Sequence, residues 1–392
     1  MTDVRLEQTV DVLIVGGGMA GSALASSLAG GGRSVVIVEA ESHVGYHATG
    51  RSAAVFSQTY GGPVIRALST ASRRFFDEPP AGFADQPLVM PRGQLHVADA
   101  ASEGRLEDLA RNGDIAAVTR RLSTRAVLEL VPVLRPALVV SGLLEPGARD
   151  IDVHGLQQAY LRKFRAAGGQ IALDGKVTAL QRCVGGWRVQ TSRGAFRAEL
   201  VVNAAGAWAS EVAAMAGASA LDLQPCRRTA IHVGAPDGYD TGSWPFVMDA
   251  AETFYFKPDA GALLVSPADE TPVPPCDAQA DELDVAIAVD RLEQATSIQV
   301  RRVTHRWAGL RTFAPDRAPL IGFDPQVKNF FWLAALGGYG IQTAPAVGEL
   351  AAGLLTSGEI GARFTDLGLS HSNLSPNRFA AMVACGASEE IR

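Results

Sequence analysis

Six consecutive residues near the start of the chain, Gly16-Gly17-Gly18-Met19-Ala20-Gly21, constrain the fold more than any other feature. They follow Val10-Asp11-Val12-Leu13-Ile14-Val15, a short run of mostly β-branched residues that reads as a buried parallel strand. Residues 22–29 read as a helix of small side chains able to approach a sheet closely, and Gly30-Gly31-Gly32 stop it. Ser34-Val35-Val36-Ile37-Val38 is a second buried strand, ending at Glu39. The spacing predicts a βαβ unit with Gly16-x-Gly18-x-x-Gly21 at its first turn and an acid about 20 residues later, the fingerprint of a dinucleotide site. Gly16 allows the tight turn, Gly18 lets backbone approach a pyrophosphate, and Gly21 lets helix pack on strand. The helix N-terminus offers free N–H groups and the positive end of its dipole to phosphates. Glu39 can accept hydrogen bonds from an adenosine ribose, and its charge repels a 2′-phosphate, which argues against NADP. The motif alone leaves FAD and NAD both open.

A chain of 392 residues holds two or three domains at roughly 150 residues each. Hydrophobic residues at 47% and charged residues at 19% exclude disorder as the main state. The formal charge of −6 gives no expectation of nucleic-acid binding. The four cysteines, Cys183, Cys226, Cys276 and Cys385, lie far apart with no CxxC spacing, which fits a reducing compartment rather than a disulfide framework or zinc site. His43 and His47 are four apart, but Gly45 and the loop texture around them give no helical metal pair, so no metal is expected. The uncharged run 12–32 has the length of a membrane helix, yet it is rich in Gly and Ser and is preceded by Asp3, Glu7 and Asp11 in place of a basic region. It is read as neither signal peptide nor membrane span, and a cytoplasmic location is expected.

Further along, Asp152 can cap a helix over 153–167 whose apolar face is Val153, Leu156, Tyr160 and Phe164. Strands are expected at 170–173 and 176–180, a hairpin around Ser192-Arg193-Gly194, and a buried strand at 199–203 entering the turn Ala204-Ala205-Gly206. Residues 89–97, 223–234, 252–266 and 297–310 alternate in a strand-like way between Pro, Gly and Asp, which suggests a larger antiparallel or mixed sheet contributed in pieces. The final part returns to α/β character, with a strand at 330–335, the turn Gly337-Gly338-Tyr339-Gly340 and a helix over 342–355. The expected fold is therefore α/β: a Rossmann-like domain (1–88, 150–220 and 312–392) interrupted twice by a second domain (89–149 and 221–311), with the ligand in the cleft between them.

Four motifs spread over the chain carry a resemblance. They are the Gly16–Gly21 turn with Glu39, the strand-turn Val201-Val202-Asn203-Ala204-Ala205-Gly206, Arg311 followed by Pro315-Asp316 and Pro319-Leu320-Ile321-Gly322, and Gly337-Gly338-Tyr339-Gly340. With them the chain resembles the D-amino-acid oxidase superfamily of FAD-dependent amine oxidoreductases. More narrowly it resembles the FAD-dependent D-arginine dehydrogenases, through Gly45-Tyr46-His47-Ala48-Thr49-Gly50-Arg51-Ser52-Ala53-Ala54, Pro79-Pro80-Ala81-Gly82-Phe83, Trp307-Ala308-Gly309-Leu310-Arg311 and Gly338-Tyr339-Gly340-Ile341-Gln342-Thr343. The resemblance implies non-covalent FAD in a Rossmann-like FAD-binding domain, beside a substrate domain with a mixed, largely antiparallel sheet. The FAD would lie along Gly16, Gly18, Met19, Ala20 and Gly21, with Glu39 and Ala40 at the ribose. Gly50, Arg51, Ser52, Ala53 and Ala54 would follow the flavin and pyrophosphate, with Arg51 or Ser52 meeting phosphate or ring oxygens. Val177, Ala205, Gly206 and Trp208 would line the same cleft. Arg311, Gly337, Gly338, Tyr339, Gly340, Ile341 and Gln342 would lie at the flavin ring, where a helix N-terminus stabilises the negative charge that grows on reduction.

For substrate, an amino-acid carboxylate needs a planar, permanently charged, two-pronged donor, which is the geometry of arginine. The resemblance places such arginines at Arg228 and Arg311, although the neighbouring Arg227 competes for the first role. It brings Tyr255, Tyr60 and Tyr339 to the substrate and makes Val55, Phe56, Gln94 and Gly338 pocket residues. Three departures matter. D-arginine dehydrogenases carry a glutamate where this chain has Gln94, a histidine where it has Val55 and a tyrosine where it has Phe56. The pocket has lost a charge and gained apolar surface, so D-arginine and D-lysine are expected to be poor substrates and neutral or apolar D-amino acids better ones. The expected reaction is oxidative deamination to a 2-oxo acid and ammonia, with hydride passing from Cα to the flavin and the amine proton leaving to solvent. Oxidation of a 2-hydroxy acid or of a secondary amine of N-methyl or opine type stays open on the same fold, as do an NAD-dependent dehydrogenase and a flavoprotein acting only as a binding module. A quinone-type acceptor and oxygen are both open as the oxidant.

Overall fold

The computed structural model describes residues 7–379; Asp3 and Cys385 lie outside them. Five parallel strands form the centre of an eight-stranded sheet, in the spatial order Gln170–Ala172, Val35–Val38, Gln8–Val15, Gly194–Asn203 and Phe330–Ala334. Their sequences are nearly continuous apolar runs, because helices cover both faces. The helix Met19–Leu28 packs between Val153–Ala166 and Ala344–Thr356, and its run of Gly, Ala and Ser allows that close approach. Trp187, Phe330, Phe331 and Trp332 are fully buried on the two faces of this sheet. Asp152 caps the helix Val153–Ala166 as expected, its Oδ1 accepting the Gly155 N–H at 2.8 Å.

The uncharged run 12–32 is a strand, a turn and a helix within this layer, and among the described residues no helix is long and apolar enough to cross a membrane. Residues 194–203 form one strand where the sequence suggested two pieces. Its first half pairs antiparallel with Gly186–Thr191 and its second half runs parallel to Phe330–Ala334.

The second sheet has nine strands and is largely antiparallel. Among the described residues its one parallel pair joins Phe246–Asp249 to Gln94–Ala98. The long pair Gln224–Gly234 and Val303–Phe313 forms one end and carries both Arg228 and Arg311. Strands Arg120–Ser123, Ser141–Glu145 and Phe246–Asp249 were not foreseen, and residues 297–302 are not strand. A small three-stranded sheet, Val55–Phe56, Arg149–Ile151 and Val89–Pro91, lies between the two large ones in chain order. The chain leaves the first large sheet after Val35–Val38 and again after Gly194–Asn203, returning each time. A cavity of about 410 Å³ opens between the layers, lined by the first glycine turn, the loop 45–55 and one face of the second sheet.

Candidate active site

At one end of the cavity the glycine turn is packed so tightly that side chains are excluded. Gly16 has φ +107°, and a Cβ there would lie 2.4 Å from the Ala204 carbonyl oxygen. A Cβ on Gly21 would lie 2.1 Å from the Gly16 carbonyl oxygen. Gly18 differs: nothing but Thr49 Oγ1 would come within 4 Å of its Cβ, and it begins the helix Met19–Leu28 without a side-chain cap. The Met19 N–H is taken by Thr49 Oγ1 at 3.0 Å, and the rest of this helix start faces the cavity as a place for an anion. Glu39 is buried at the end of its strand. Its Oε2 accepts the Gly17 N–H at 2.8 Å and its Oε1 the Glu41 N–H at 3.0 Å, so each oxygen keeps acceptor capacity for a hydroxyl in the cavity it lines.

Three arginines line the cavity, Arg311, Arg228 and Arg51, and their fates differ. Arg311 projects from Val303–Phe313 and donates from Nη1 to Tyr60 Oη at 3.0 Å. Among the described residues it has no acidic partner. Burial works against its charge, but the hydroxyls of Tyr60 and Tyr255 outweigh that and raise its pKa further. The backbone of Gly338 packs on the guanidinium, where a Cβ would sit 2.6 Å from Nη1. Arg228 also lines the cavity, but Glu270 Oε1 lies 3.0 Å from its Nη2 and the Asp269 carbonyl accepts from its Nε at 2.6 Å. Arg227, next along the strand, turns to the other face and pairs with Asp284 at 2.8 Å. Arg51 gives its guanidinium to Asp277 and to the carbonyls of Ala278 and Ala308. Tyr255 is buried and stacks on Phe246 with ring centroids 5.0 Å apart. Burial pushes its phenol up, yet Arg311 and Arg228 beside it hold it below the ordinary range.

The family model for FAD-dependent oxidoreductases of the DAO type matches residues 11–354. The chain belongs to this DAO family. Human mitochondrial dimethylglycine dehydrogenase is 24% identical over 381 residues, covering 91% of this chain and 44% of that protein. The chain thus spans less than half the length of that relative. Glycine oxidase of Geobacillus kaustophilus (strain HTA426) is 26% identical over 360 residues, covering 88% of this chain and 92% of that one. Among solved structures, L-proline dehydrogenase from P. horikoshii has the same fold, with a TM-score of 0.80 at 22% identity over 96% of this chain and 99% of that chain.

FAD is the cofactor of this DAO chain, and the cavity fits it. The glycine cradle has no room for a Cβ at Gly16 or Gly21, Gly18 leaves the space beside the helix start clear, and Glu39 presents carboxylate oxygens to the same space. Of the residues predicted for it, Gly16, Gly18, Met19, Ala20, Glu39, Ala40, Arg51, Ser52, Ala53, Ala54, Val177, Ala205, Gly206, Trp208, Arg311, Gly337, Gly338, Gly340, Ile341 and Gln342 line the cavity.

Other expectations need correction. Gly21 and Gly50 lie behind the wall, Gly50 closing its loop through an N–H bond to the Gly45 carbonyl at 2.8 Å. Arg51 is spent on Asp277 and two carbonyls, so it has less to offer phosphate or ring oxygens than expected. Gln342 is buried and bonded to the Ser57 N–H and Ser69 Oγ; the helix after it begins at Ala344. Phe56 is not in the pocket. Neighbours on a strand point to opposite faces, so Val55 lines the cavity while Phe56 packs on Phe76 with ring centroids 5.2 Å apart. Tyr339 is also off the cavity wall. It lies behind Tyr60, 4.9 Å between rings, beside Ile65, Cys226 and Phe313, and burial pushes its phenol up to about 12. His47 bonds to Glu41 at 2.9 Å and stands beside Trp208.

Two acids were missed. Glu145 is 1% exposed and accepts from Ser57 Oγ, the Gln58 N–H and Thr59 Oγ1. It ends the strand beside Gln94, whose Nε2 reaches Thr59 Oγ1 at 3.4 Å and His96 Nε2 at 2.9 Å. Glu270 occupies Arg228. Neither has a local signature, since each partner lies some tens of residues away in the chain.

Proposed function

We propose that this chain oxidises the carbon–nitrogen bond of a small amino acid with a neutral substituent. Arg311 carries the reading. A part-buried guanidinium on the wall of a nucleotide cavity, held by a tyrosine and without an acidic partner among the described residues, is a receptor for an external anion. Bound FAD supplies the two-electron acceptor that such an oxidation requires. Arg311 takes the substrate carboxylate, Tyr60 fixes the guanidinium, and Tyr255 adds a hydroxyl beside it. Val55, Ala230, Phe246 and Met248 give the substituent an apolar wall that keeps water away. The acids and histidine of the wall, Glu39, Glu41, His47 and Glu211, belong to the nucleotide end. The amine therefore loses its proton to water, and the imine product hydrolyses to a 2-oxo acid with release of ammonia, or of an amine when the nitrogen is alkylated.

Gln94 offers no charge to a cationic side chain, and the three donors around Glu145 already occupy that carboxylate. This supports poor use of arginine and lysine. A substrate with an N-alkylated amine is the second reading, favoured because two of the relatives are named for dimethylglycine and L-proline. A D-amino acid, the narrower expectation from the D-arginine dehydrogenase resemblance, is carried by that resemblance alone; the relatives described here are named for glycine, dimethylglycine and L-proline.

The test is anaerobic mixing of the FAD-loaded protein with D-, L- and N-methyl amino acids and 2-hydroxy acids, following flavin absorbance. Bleaching by at least one amine acid supports the reading. Bleaching by hydroxy acids alone, or by nothing in the panel, overturns it.

A further inference from the structure

The substrate class can be narrowed once Arg311 is taken as the carboxylate anchor, the role proposed for it in the preceding subsection. Arg51, Arg228 and Arg311 are the arginines on the cavity wall. Two of them are neutralised from within the chain, and both partners come from one segment, between the strand Ala262–Ser266 and the helix Glu282–Ala295. Asp277 pairs with Arg51 and Glu270 with Arg228.

Glu270 is exposed, but its carboxylate is tied down. Its carboxylate also receives Arg317 Nη2 at 3.0 Å on both oxygens. The residues on either side are tied to the strand that carries Arg228: Asp269 Oδ1 accepts the Thr229 N–H at 2.7 Å, and Thr271–Pro272 pairs with Cys226 and Arg227. The Arg228 side chain is only 10% exposed. With Glu270 already placed on Arg228, a second carboxylate brought to the same place would meet a like charge and would have to displace it.

We infer that Glu270 is a specificity-determining residue: it withdraws Arg228 from anion binding and restricts the site to substrates with a single carboxylate, rejecting dicarboxylic amines. Among the described residues, Arg311 remains as the one arginine of the wall without an acidic partner.

The test uses the FAD-loaded protein and two unreactive ligands of similar size, butyrate and succinate, with binding read from the perturbation of flavin absorbance. Wild type is expected to bind succinate at least about tenfold more weakly than butyrate, since the second charge finds no free partner. In Glu270→Gln, succinate binding tightens by roughly tenfold or more while butyrate changes by less than about twofold. Glu270→Asp keeps the charge and the wild-type preference. FAD content and melting temperature of each variant show that it is folded, and the wild-type ratio stands even if a variant is not. Equal tightening of both ligands in Glu270→Gln means that any carboxylate displaces Glu270, which overturns the inference alone. So does a wild type that binds both equally, or a variant in which succinate gains nothing. A wild type that binds neither ligand overturns the role of Arg311 and this inference with it.

Discussion

Replacing Arg311 by Met has two consequences that a merely structural residue would not combine. Among the described residues this part-buried guanidinium has only Tyr60 Oη as a side-chain hydrogen-bond partner, so removing it deletes a charge that was costly to bury. Met fills the stem volume and leaves no charge behind. The melting temperature without added substrate is therefore expected to stay level or rise. Substrate affinity moves the other way. Removing one member of a hydrogen-bonded charge pair away from water costs about 2–5 kcal/mol, and at about 1.4 kcal/mol per tenfold that is roughly 30- to 4,000-fold in kcat/KM. Steady-state kinetics and thermal melts on the same preparation read both. A saturating carboxylate ligand is also expected to raise the melting temperature of wild type and not of Arg311→Met, because only the folded wild type binds it. A variant with kcat/KM within fivefold of wild type and a melting temperature several degrees lower would show that Arg311 serves the fold and not the substrate.

The geometry sets three further outcomes. Gly21→Ala places a Cβ 2.1 Å from the Gly16 carbonyl oxygen, a contact that only backbone movement relieves, so the purified protein is expected to lose bound FAD, as read from the ratio of flavin to protein absorbance. Gln94→Glu places a second carboxylate near Glu145, and should lower the melting temperature while raising kcat/KM for arginine or lysine at least about tenfold; unchanged selectivity would remove Gln94 from the substituent pocket. Burial holds the His96 pKa at about 4, against 6.5 in an unfolded chain. The unfolded state thus binds the proton first, and stability falls as pH drops from 6.5 towards 4, by up to about 3 kcal/mol. Urea melts across that range should show this slope, and His96→Gln should flatten it.

What could be read from the sequence was local. The Gly16–Gly21 turn, Glu39 and the two strands around them lie within about 30 consecutive residues, and each contact there is set by near neighbours. Tyr255 was also legible, because strand alternation puts Phe254 and Phe256 on one face and the tyrosine on the other. The same rule separates Val55 from Phe56, but applying it required knowing that two residues in a Gly-rich loop form a strand with Arg149–Ile151. The fate of Arg228 was not legible. Whether a cavity arginine is free depends on Glu270, 42 residues on, and on a strand pairing that brings Thr271–Pro272 beside Cys226. Glu145 was hidden for a related reason: it is an acid at the end of an apolar strand, and its donors come from residues 57–59 on a distant loop. Tyr339 sits in a motif that marks the cofactor, yet one residue's turn carries its ring behind Tyr60.

The grip of Arg311 on a carboxylate is the central claim, and stopped-flow flavin reduction tests it most directly. An amino acid that bleaches the flavin is compared, anaerobically, with its carboxamide, which keeps the amine and substituent but carries no negative charge. Bleaching by the acid, with the carboxamide at least about a hundredfold slower at equal concentration, is the predicted result. A carboxamide that reduces the flavin as fast as the acid would contradict it.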